Sequence, residues 1–301
     1  MICKVTVIKG GNSSEREVSL ATGSQCASAL ISKGYKVTEI DAKYDFLDQL
    51  KNNRPDIVFN ALHGRWGEDG SVQGLFEWLS LPYTHSGVLA SALAMDKKKS
   101  KEIFKHEGLP VSEGFIMETK KLELKHPIDP PYVIKPNNEG SSVGVLIVSE
   151  KKLDRLKLSL SELPKLVLVE PFIEGKELTV TVMGDRVLTI TDIVTSGWYD
   201  YTAKYTQGRS KHIVPAIIPE NIKEACFDYA LRAHNSIGCR GLTRTDFRWD
   251  HTLGVDGIKI LEINTQPGMT PTSLVPEQAK FCGISFPDLC DWIVKDASCC
   301  R

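Results

Sequence analysis

Short strand-like runs alternate with helical patterns through the first 86 residues of this 301-residue chain. This alternation is typical of a parallel sheet covered by helices, so we predict an α/β fold with a Rossmann-like N-terminal unit. The runs are strands at residues 3–9, 37–40 and 57–60, and helices at residues 15–32, near 46–50 and near 71–79. The chain carries neither a GxGxxG dinucleotide fingerprint nor a P-loop, which excludes the most common nucleotide motifs of such sheets.

Two loops of this unit follow predicted strands, at residues 10–15 and 63–70. Ligands bind at the carboxyl ends of parallel strands, so both loops are predicted to face one crevice. Glu15 and His63 are the candidate functional residues there. Each has a structural alternative: Glu15 as a first-turn acid favoured by the helix dipole, and His63 as a hydrogen-bonded turn histidine.

A second candidate site lies at residues 257–276, where a strand pattern ends in polar residues. Glu262 and Asn264 are two residues apart, so on a strand they project to the same face, and both offer the hard oxygen donors that Mg²⁺ selects. The segment that follows is rich in Pro, Gly and hydroxyl groups and offers N–H donors for anions. The alternative is a strand with a solvated edge and an ordinary turn.

The middle of the chain predicts an α+β unit with a flexible hairpin. Its strands lie at residues 132–135, 145–148, 166–170 and 177–183, with a helix at 150–161. The Gly-, Ser- and Asn-rich hairpin tip, with Lys135 at its base, is suited to closing over phosphates, although such a tip alone is a weak signal. Glu170 and Glu177 are suited to gripping a nucleoside, the alternative being surface carboxylates.

Helices are predicted at residues 88–93 and 96–107, the second with Asp96 as its N-cap. Three lysines, Lys97 to Lys99, follow in the first turn, where the helix dipole disfavours cations. A solvated face accounts for two of them, and one is expected to meet an anion.

Composition restricts the class of function. The net charge of −1 with mixed signs favours small-molecule chemistry over binding to nucleic acid or an anionic membrane. The chain contains no apolar run of membrane-spanning length and starts without a signal-peptide pattern, so a cytoplasmic location is expected. The 8 cysteines are scattered without CxxC spacing, which favours reduced thiols over a zinc site.

Eight sequence blocks, in order along nearly the whole chain, resemble those of the bacterial D-alanine:D-alanine ligases, which are ATP-grasp enzymes. The blocks are G-G-N-S-S-E-R-E-V-S from Gly10, H-G-R-W-G-E-D-G from His63, M-D-K from Met95, K-P-N-N-E-G-S-S-V-G from Lys135, E-P-F-I-E-G-K-E from Glu170, Y-D-Y-T-A-K-Y from Tyr199, R-T-D from Arg244 and L-E-I-N-T-Q-P-G-M-T-P-T-S-L from Leu261. Departures at Arg16, Trp66 and Gln266 fall where no chemistry is expected.

This resemblance implies a ligase that joins two D-alanine molecules through a D-alanyl phosphate, for peptidoglycan synthesis. It implies ATP and two Mg²⁺ ions, with Mn²⁺ as an alternative, and a homodimer. It also implies three subdomains, at residues 1–86, 87–174 and 175–301, with ATP between the second and third.

The resemblance also assigns roles to matched residues of the nucleotide and metal sites. Lys97, Lys135 and Lys204 would bind phosphates, and the loop carrying Ser142 would close over them. Glu170 would meet the adenine amino group and Glu177 the ribose. The metal ligands would be Asp246, Glu262 and Asn264.

On the substrate side, the resemblance assigns the ammonium of the first D-alanine to Glu15, linked by hydrogen bonds to Ser141 and Tyr205. Arg244 and the N–H of Gly268 would meet the tetrahedral oxyanion. The carboxylate of the second D-alanine would be bound by Ser273 and the N–H of Leu274, with His63 as a further substrate-binding residue. Residues 196–212 would form a lid over the site that becomes ordered with ligand.

Two rival functions stay open from sequence. A ligase joining D-alanine to D-lactate or D-serine shares most of these blocks, but Tyr205 favours the D-alanine dipeptide because in the family D-lactate ligases commonly carry Phe there. A non-catalytic nucleotide-binding regulator would not need the full set of Asp246, Glu262 and Asn264.

Overall fold

The N-terminal part of the chain forms the predicted parallel sheet. The computed structural model describes residues 2–140, 144–149, 160–195, 210–270 and 272–300. The sheet has the order β2-β1-β3 with both pairs parallel, which confirms the predicted α/β alternation. Its elements are β1 (Lys4–Lys9), α1 (Arg16–Ser32), β2 (Lys36–Asp41), α2 (Phe46–Asn53), β3 (Ile57–Asn60) and α3 (Ser71–Trp78).

The second sheet contains the predicted hairpin. Its order is β4-β7-β5-β6 with every pair antiparallel, and β5 and β6 are the hairpin strands. Most of the predicted helix at residues 150–161 lies outside the described residues. The elements are α4 (Val88–Met95), α5 (Lys97–His106), β4 (Phe115–Glu118), α6 (Thr119–Leu122), β5 (Tyr132–Pro136), β6 (Leu146–Val148) and β7 (Leu166–Pro171).

The third sheet is antiparallel, with the order β10-β9-β8-β11-β12. A 3₁₀ segment, His251–Gly257, joins β11 to β12. The other elements, with helices numbered along the described residues, are β8 (Lys176–Met183), β9 (Arg186–Thr195), β10 (Ser210–Ile213), α7 (Glu220–Ser236), β11 (Leu242–Trp249), β12 (Ile258–Asn264), α8 (Leu274–Phe281) and α9 (Phe286–Asp296).

Helix α5 begins as the sequence predicts. The Asp96 side chain accepts a hydrogen bond from the Lys99 N–H at 3.0 Å, which satisfies one of the free donors of the first turn. Of the three lysines that follow, Lys97 is buried, whereas Lys99 keeps 62% of its side chain exposed. Only Lys97 is therefore withdrawn from solvent toward the interior.

Four larger hydrophobic cores hold the described parts of these layers together, and one of them packs β1, β2 and β3 against α2 and α3 around Phe76. Residues of β1, β3, α1 and α9 share one core with Met183 and Leu242 of the third sheet. The second sheet has a separate core built around Tyr132 and Ile134, and α7 covers the third sheet. Phe104 of α5 belongs to the core of the third sheet, although α5 precedes the strands of the second sheet in the sequence.

The proposed subdomain boundaries near residues 86 and 174 stay predictions. None of the helices in the described ranges is long and apolar enough to cross a membrane.

Candidate functional site

Two adjoining cavities contain every predicted site residue that the structure describes. Lys97 and Glu262 line both cavities and so mark where they meet. The first cavity is also lined by Glu15, His63, Arg244, Asn264, Gly268, Ser273 and Leu274. The second is also lined by Lys135, Glu170, Glu177 and Asp246. Ser141, Ser142, Lys204 and Tyr205, and most of the predicted lid at 196–212, lie outside the described residues.

The candidate metal ligands lie on two paired strands. Asp246 of β11 is directly opposite Glu262 of β12, and Asn264 is opposite Arg244. A register shift follows between Asp246 and Phe247, so β12 contains an irregularity at this point. Bulges of this kind redirect side chains and are common beside active sites.

The donor set fits a hard divalent cation, since it offers two carboxylates and an amide oxygen. The Asn264 Oδ1 also accepts a hydrogen bond from the Gln266 N–H at 2.8 Å, which orients the amide. Within the described ranges, no group of three or more His, Cys, Asp and Glu side chains is arranged to hold a metal, and the third predicted ligand here is an asparagine.

The charged groups at this junction are paired with one another. The Arg244 guanidinium donates two hydrogen bonds to Asp246, each at 2.8 Å, and Thr179 donates to the same carboxylate at 2.6 Å. Lys97 Nζ lies 3.1 Å from Glu262 Oε2 and donates to the Glu139 carbonyl at 2.6 Å. The predicted phosphate-binding, oxyanion-binding and metal-binding groups therefore balance each other's charge.

Glu170 forms a buried cluster with two lysines. Its Oε2 lies 2.8 Å from Lys135 Nζ and its Oε1 pairs with Lys101 Nζ. Burial raises the pKa of Glu170, but the opposing effects of Lys135 and then Lys101 leave it below its usual value. Burial and the neighbouring Lys135 lower the pKa of Lys101 to about 8, although Glu170 acts in the opposite direction.

Glu177 lies at the start of β8, where it is held by Arg248 of β11. Arg248 Nη1 is 3.7 Å from Glu177 Oε2, and Arg248 Nε donates to the Ile173 carbonyl at 3.0 Å. The guanidinium also lies over the Phe172 ring, 5.4 Å from its centroid. Arg248 thus ties Glu177 to the segment that follows Glu170.

The loops after β1 and β3 contact each other, as the crevice prediction requires. Ser13 donates a hydrogen bond to the His63 carbonyl at 2.6 Å, and His63 Nε2 lies 3.0 Å from the Thr22 hydroxyl. Burial lowers the pKa of His63 to about 4, so the imidazole is neutral at pH 7. The Glu15 carboxylate lies so close to Gly64 that a Cβ there would be 2.7 Å from its Oε2.

The segment after β12 supplies the far wall of the first cavity. Ser273 is the residue before α8, and its hydroxyl accepts from the Thr270 N–H at 2.9 Å. A Cβ on Gly268 would come within 3.1 Å of the same hydroxyl, so a glycine lets the backbone approach closely. Helix N-termini bind carboxylates well, which fits the predicted role of Ser273 and Leu274.

Glu68 and Lys101 are two charged residues at or beside the cavities that received no role from sequence. Glu68 lines the first cavity, where its Oε1 accepts from the Gly64 N–H at 2.9 Å. Burial, followed by the charge of Glu15, raises the pKa of Glu68 well above its usual value. Glu68 stands inside the H-G-R-W-G-E-D-G block, and Lys101 stands one helical turn after Lys97, so both had a positional signal.

Gln266 and Arg16, two of the residues at which this chain departs from the family's sequence blocks, make structural contacts. Gln266 is buried, accepts from Asn60 Nδ2 at 2.7 Å and donates to the Leu62 carbonyl, which links the end of β3 to the segment after β12. Arg16 pairs with Asp41 at 2.6 Å and donates to the Gly11 carbonyl at 2.9 Å.

Comparisons with known proteins agree over the length of the chain. Residues 42–86 match the D-ala D-ala ligase N-terminus and residues 103–295 the D-ala D-ala ligase C-terminus. D-alanine–D-alanine ligases of Ruegeria sp. (strain TM1040) and Cereibacter sphaeroides (strain ATCC 17025) are each 59% identical over 298 residues, 99% of this chain and 97% of the relative.

Solved structures give the same result for the fold. The D-alanine–D-alanine ligase of Bacillus anthracis complexed with ATP superposes with a TM-score of 0.82 at 32% identity, covering 98% of this chain and 97% of that one. A second structure of the Bacillus anthracis enzyme gives a TM-score of 0.83 at 31% identity. These matches, which extend over nearly all of the sequence and of the fold, show that this chain belongs to the D-alanine–D-alanine ligase family.

Proposed function

We propose that this protein joins two D-alanine molecules into D-alanyl-D-alanine, with ATP as the phosphoryl donor, to supply a peptidoglycan precursor. One observation carries the proposal beyond family membership. Two cavities of different chemistry, one suited to a nucleotide and one to amino acids, meet at Lys97 and Glu262. A γ-phosphate bound at that junction would be within reach of a carboxylate in the first cavity.

The first step would transfer the γ-phosphoryl group to the carboxylate of one D-alanine. A new O–P bond forms, the bond to ADP breaks, and the product is an acylphosphate with a good leaving group. Lys97 and Lys135 would bind the phosphates, while Glu15 would hold the ammonium group. Catalysis of this kind depends mainly on positioning and charge stabilisation.

The second step would join the amine of the other D-alanine to the acyl carbon. Attack by the amine forms the C–N bond and a tetrahedral oxyanion, which would be stabilised by Arg244 and the N–H of Gly268. Its collapse restores the carbonyl and breaks the C–O bond to phosphate, while the nitrogen gives up a proton to solvent. Ser273 and the N–H of Leu274 would hold the carboxylate of the incoming molecule. Ser141, Lys204 and Tyr205 keep the roles predicted from sequence.

Asp246, Glu262 and Asn264 would hold Mg²⁺, whose charge, when bound, compensates that of the phosphates. Arg244, now paired with Asp246, would then be released toward the oxyanion. The sequence-based expectations of two ions, of a homodimer and of a cytoplasmic location stay predictions.

Phosphate release tests the proposal directly. Purified protein is incubated with ATP and Mg²⁺ and, in parallel, D-alanine, L-alanine, D-alanine with D-lactate, or D-alanine with D-serine, with mass spectrometry of the products. We expect release with D-alanine, little with L-alanine, and D-alanyl-D-alanine as the main product. A main product containing D-lactate or D-serine would show that the protein is a ligase of the rival class. No phosphate release with any substrate would favour the non-catalytic nucleotide-binding regulator.

A further inference from the structure

Lys101 is a buried lysine of α5 that approaches Glu170 from behind the nucleotide cavity. Its side chain is 4% exposed and that of Glu170 is 3% exposed. Glu170 and Lys135 line the second cavity, whereas Lys101 contributes to the lining of neither cavity and lies instead beside Gly114 on the opposite side. Lys101 is therefore placed to act on Glu170 and not on a bound ligand.

The Glu170 side chain has little room to change position. A Cβ on Gly114 would lie 2.6 Å from Glu170 Cγ and 3.0 Å from its Oε1, so the backbone at Gly114 packs directly against the glutamate. Lys98 Nζ donates to the Gly114 carbonyl at 2.9 Å and fixes that wall. Because the Glu170 carboxylate is confined in this way, its Oε1 stays directed toward Lys101 when Lys135 moves away.

The cluster holds one carboxylate and two ammonium groups, and only one of the ammonium groups faces the cavity. Lys135 Nζ is 2.8 Å from Glu170 Oε2 and its side chain is 10% exposed. A buried carboxylate that loses its only partner is strongly unfavourable, because the charge is then neither solvated nor paired. With Lys101 in place, Glu170 stays paired if Lys135 leaves.

We propose that Lys101 is a positioning residue for the nucleotide: it carries the countercharge of Glu170 so that Lys135 can transfer from Glu170 to a phosphate group. The inference rests on the proposed function, which assigns Lys135 to the phosphates of ATP. Without Lys101, Lys135 becomes the sole partner of Glu170 and is held back from the phosphates. The expected defect is therefore in phosphate binding, although Lys101 touches no phosphate.

The test is a double-variant cycle read by the dissociation constant for ATP with Mg²⁺, measured by calorimetry without D-alanine. Lys101→Met should weaken ATP binding by roughly tenfold to a hundredfold, the factor expected for loss of one charge-assisted contact. Lys99→Met, on the same helix but exposed, is the matched control and should change the dissociation constant for ATP less than about twofold.

The decisive measurement is made with Glu170→Gln, which removes the carboxylate that would retain Lys135. In that background, Lys101→Met should change the dissociation constant by less than about twofold, because no buried charge is left to compensate. A role limited to packing predicts the same loss in both backgrounds, and that result would overturn the proposal. So would an effect of Lys101→Met in the parent no larger than that of Lys99→Met.

Folding of each variant is checked by circular dichroism before binding is measured. If Lys101→Met alone does not fold, Lys101→Gln takes its place. The comparison of Glu170→Gln with and without Lys101→Met still decides, because weaker ATP binding by the double variant contradicts the proposal. The proposed ligase function is judged separately, by phosphate release from the parent protein. ATP binding that follows the cycle without any D-alanine turnover would contradict that function and leave the role of Lys101 intact.

Discussion

At the scale of single residues, the site is organised as exchangeable ion pairs. Each pair joins groups that would serve different ligands. In two pairs a bound anion and a bound cation would replace the two partners, whereas Glu170 would keep Lys101 when Lys135 turns to a phosphate. Such exchange avoids leaving a buried charge without a partner, which is the costly outcome in a low-dielectric site. The pairs are Lys97 with Glu262, Lys135 with Glu170, and Arg244 with Asp246.

Glu262→Gln should abolish turnover and leave the fold intact. The substitution removes one negative ligand from the proposed metal face, whereas glutamine can still accept a hydrogen bond from Lys97. We expect phosphate release with Mg²⁺ and D-alanine to fall by about a hundredfold or more, as when one transition-state contact is lost. Glu118→Gln, exposed on β4, is the control. Near-parent release by Glu262→Gln would contradict the metal assignment, and thermal melting checks the fold.

The pair Arg16 with Asp41 should make stability depend on pH in the acid range. The hydrogen bond from Arg16 lowers the pKa of Asp41 to about 2, whereas an unfolded Asp titrates near ~3.9. Because the folded pKa is the lower one, the stabilisation is fully present above the unfolded pKa and is lost as pH falls toward about 2.

Urea unfolding of the parent and of Asp41→Asn at several pH values measures this effect. The difference in unfolding free energy should be constant above about pH 5 and shrink steadily between about pH 4 and pH 3. Asp48→Asn, exposed on α2, serves as the control for removing an exposed carboxylate. A difference for Asp41→Asn that is equal at neutral pH and at the acid end would contradict the linkage.

At the scale of elements, hydrophobic periodicity predicted the elements of the first sheet well. It predicted β12, the strand that carries the candidate metal ligands Glu262 and Asn264, only in part. The strands β1 and β3 are buried on both faces, as is typical of parallel strands covered by helices: Val5, Val7 and Phe59 lie in one core, and Ile8 and Val58 lie in another. In β12, Ile258, Ile260 and Ile263 are buried, so the phase shifts by one residue at Leu261. Strict alternation would place Glu262 on the same face as Ile260, and the pairing with β11 locates the irregularity that prevents this.

The sequence blocks assigned roles to more residues than chemistry alone did. Each chemical candidate, such as Glu15 or His63, had a structural alternative of comparable weight, and the order of eight blocks favoured the functional interpretation. Both residues line the first cavity, and their roles stay predictions. What the blocks could not predict were pairings between distant segments, such as Lys101 with Glu170 or Glu177 with Arg248. Those contacts depend on how the second and third sheets are placed, which no local pattern encodes.

The connection between β7 and β8 depends on a glycine. Gly175 has φ +100°, and a Cβ there would lie 2.1 Å from the Trp249 carbonyl oxygen. Gly283, between α8 and α9, also has positive φ, +78°, but no atom lies within 4 Å of the place that an added methyl group would take. We expect Gly175→Ala to lower the unfolding free energy by about 2 to 4 kcal/mol and Gly283→Ala by about 1 to 2 kcal/mol.

Chemical denaturation of the two alanine variants separates steric overlap from backbone strain. Both carry the cost of a left-handed conformation, and only Gly175→Ala adds the collision with Trp249. An equal decrease in unfolding free energy for the two variants would mean that the backbone near residue 249 shifts to accommodate the methyl group.

At the scale of the whole molecule, the two ends of the chain share a core while the second sheet has its own. Val5 and Phe59 of the first sheet pack in one cluster with Leu242 of β11 and Leu289 of α9. The last residues reinforce this connection, since Ser298 forms a bridge with Tyr83. We therefore expect the second sheet to loosen without disturbing the core that joins the first and third.

Native-state hydrogen exchange of two core variants tests this division. Leu289→Ala and Ile134→Ala each remove a fully buried side chain, which typically costs about 2 to 5 kcal/mol. Because local opening follows cooperative units, Leu289→Ala should speed amide exchange in β1 and at the start of β11 but not in β5, whereas Ile134→Ala should speed it in β5 and β7. Leu253→Ala, with 60% of the residue exposed, should change neither set. If both core variants accelerate exchange equally in all of these strands, the molecule opens as one unit and the separate second subdomain must be given up.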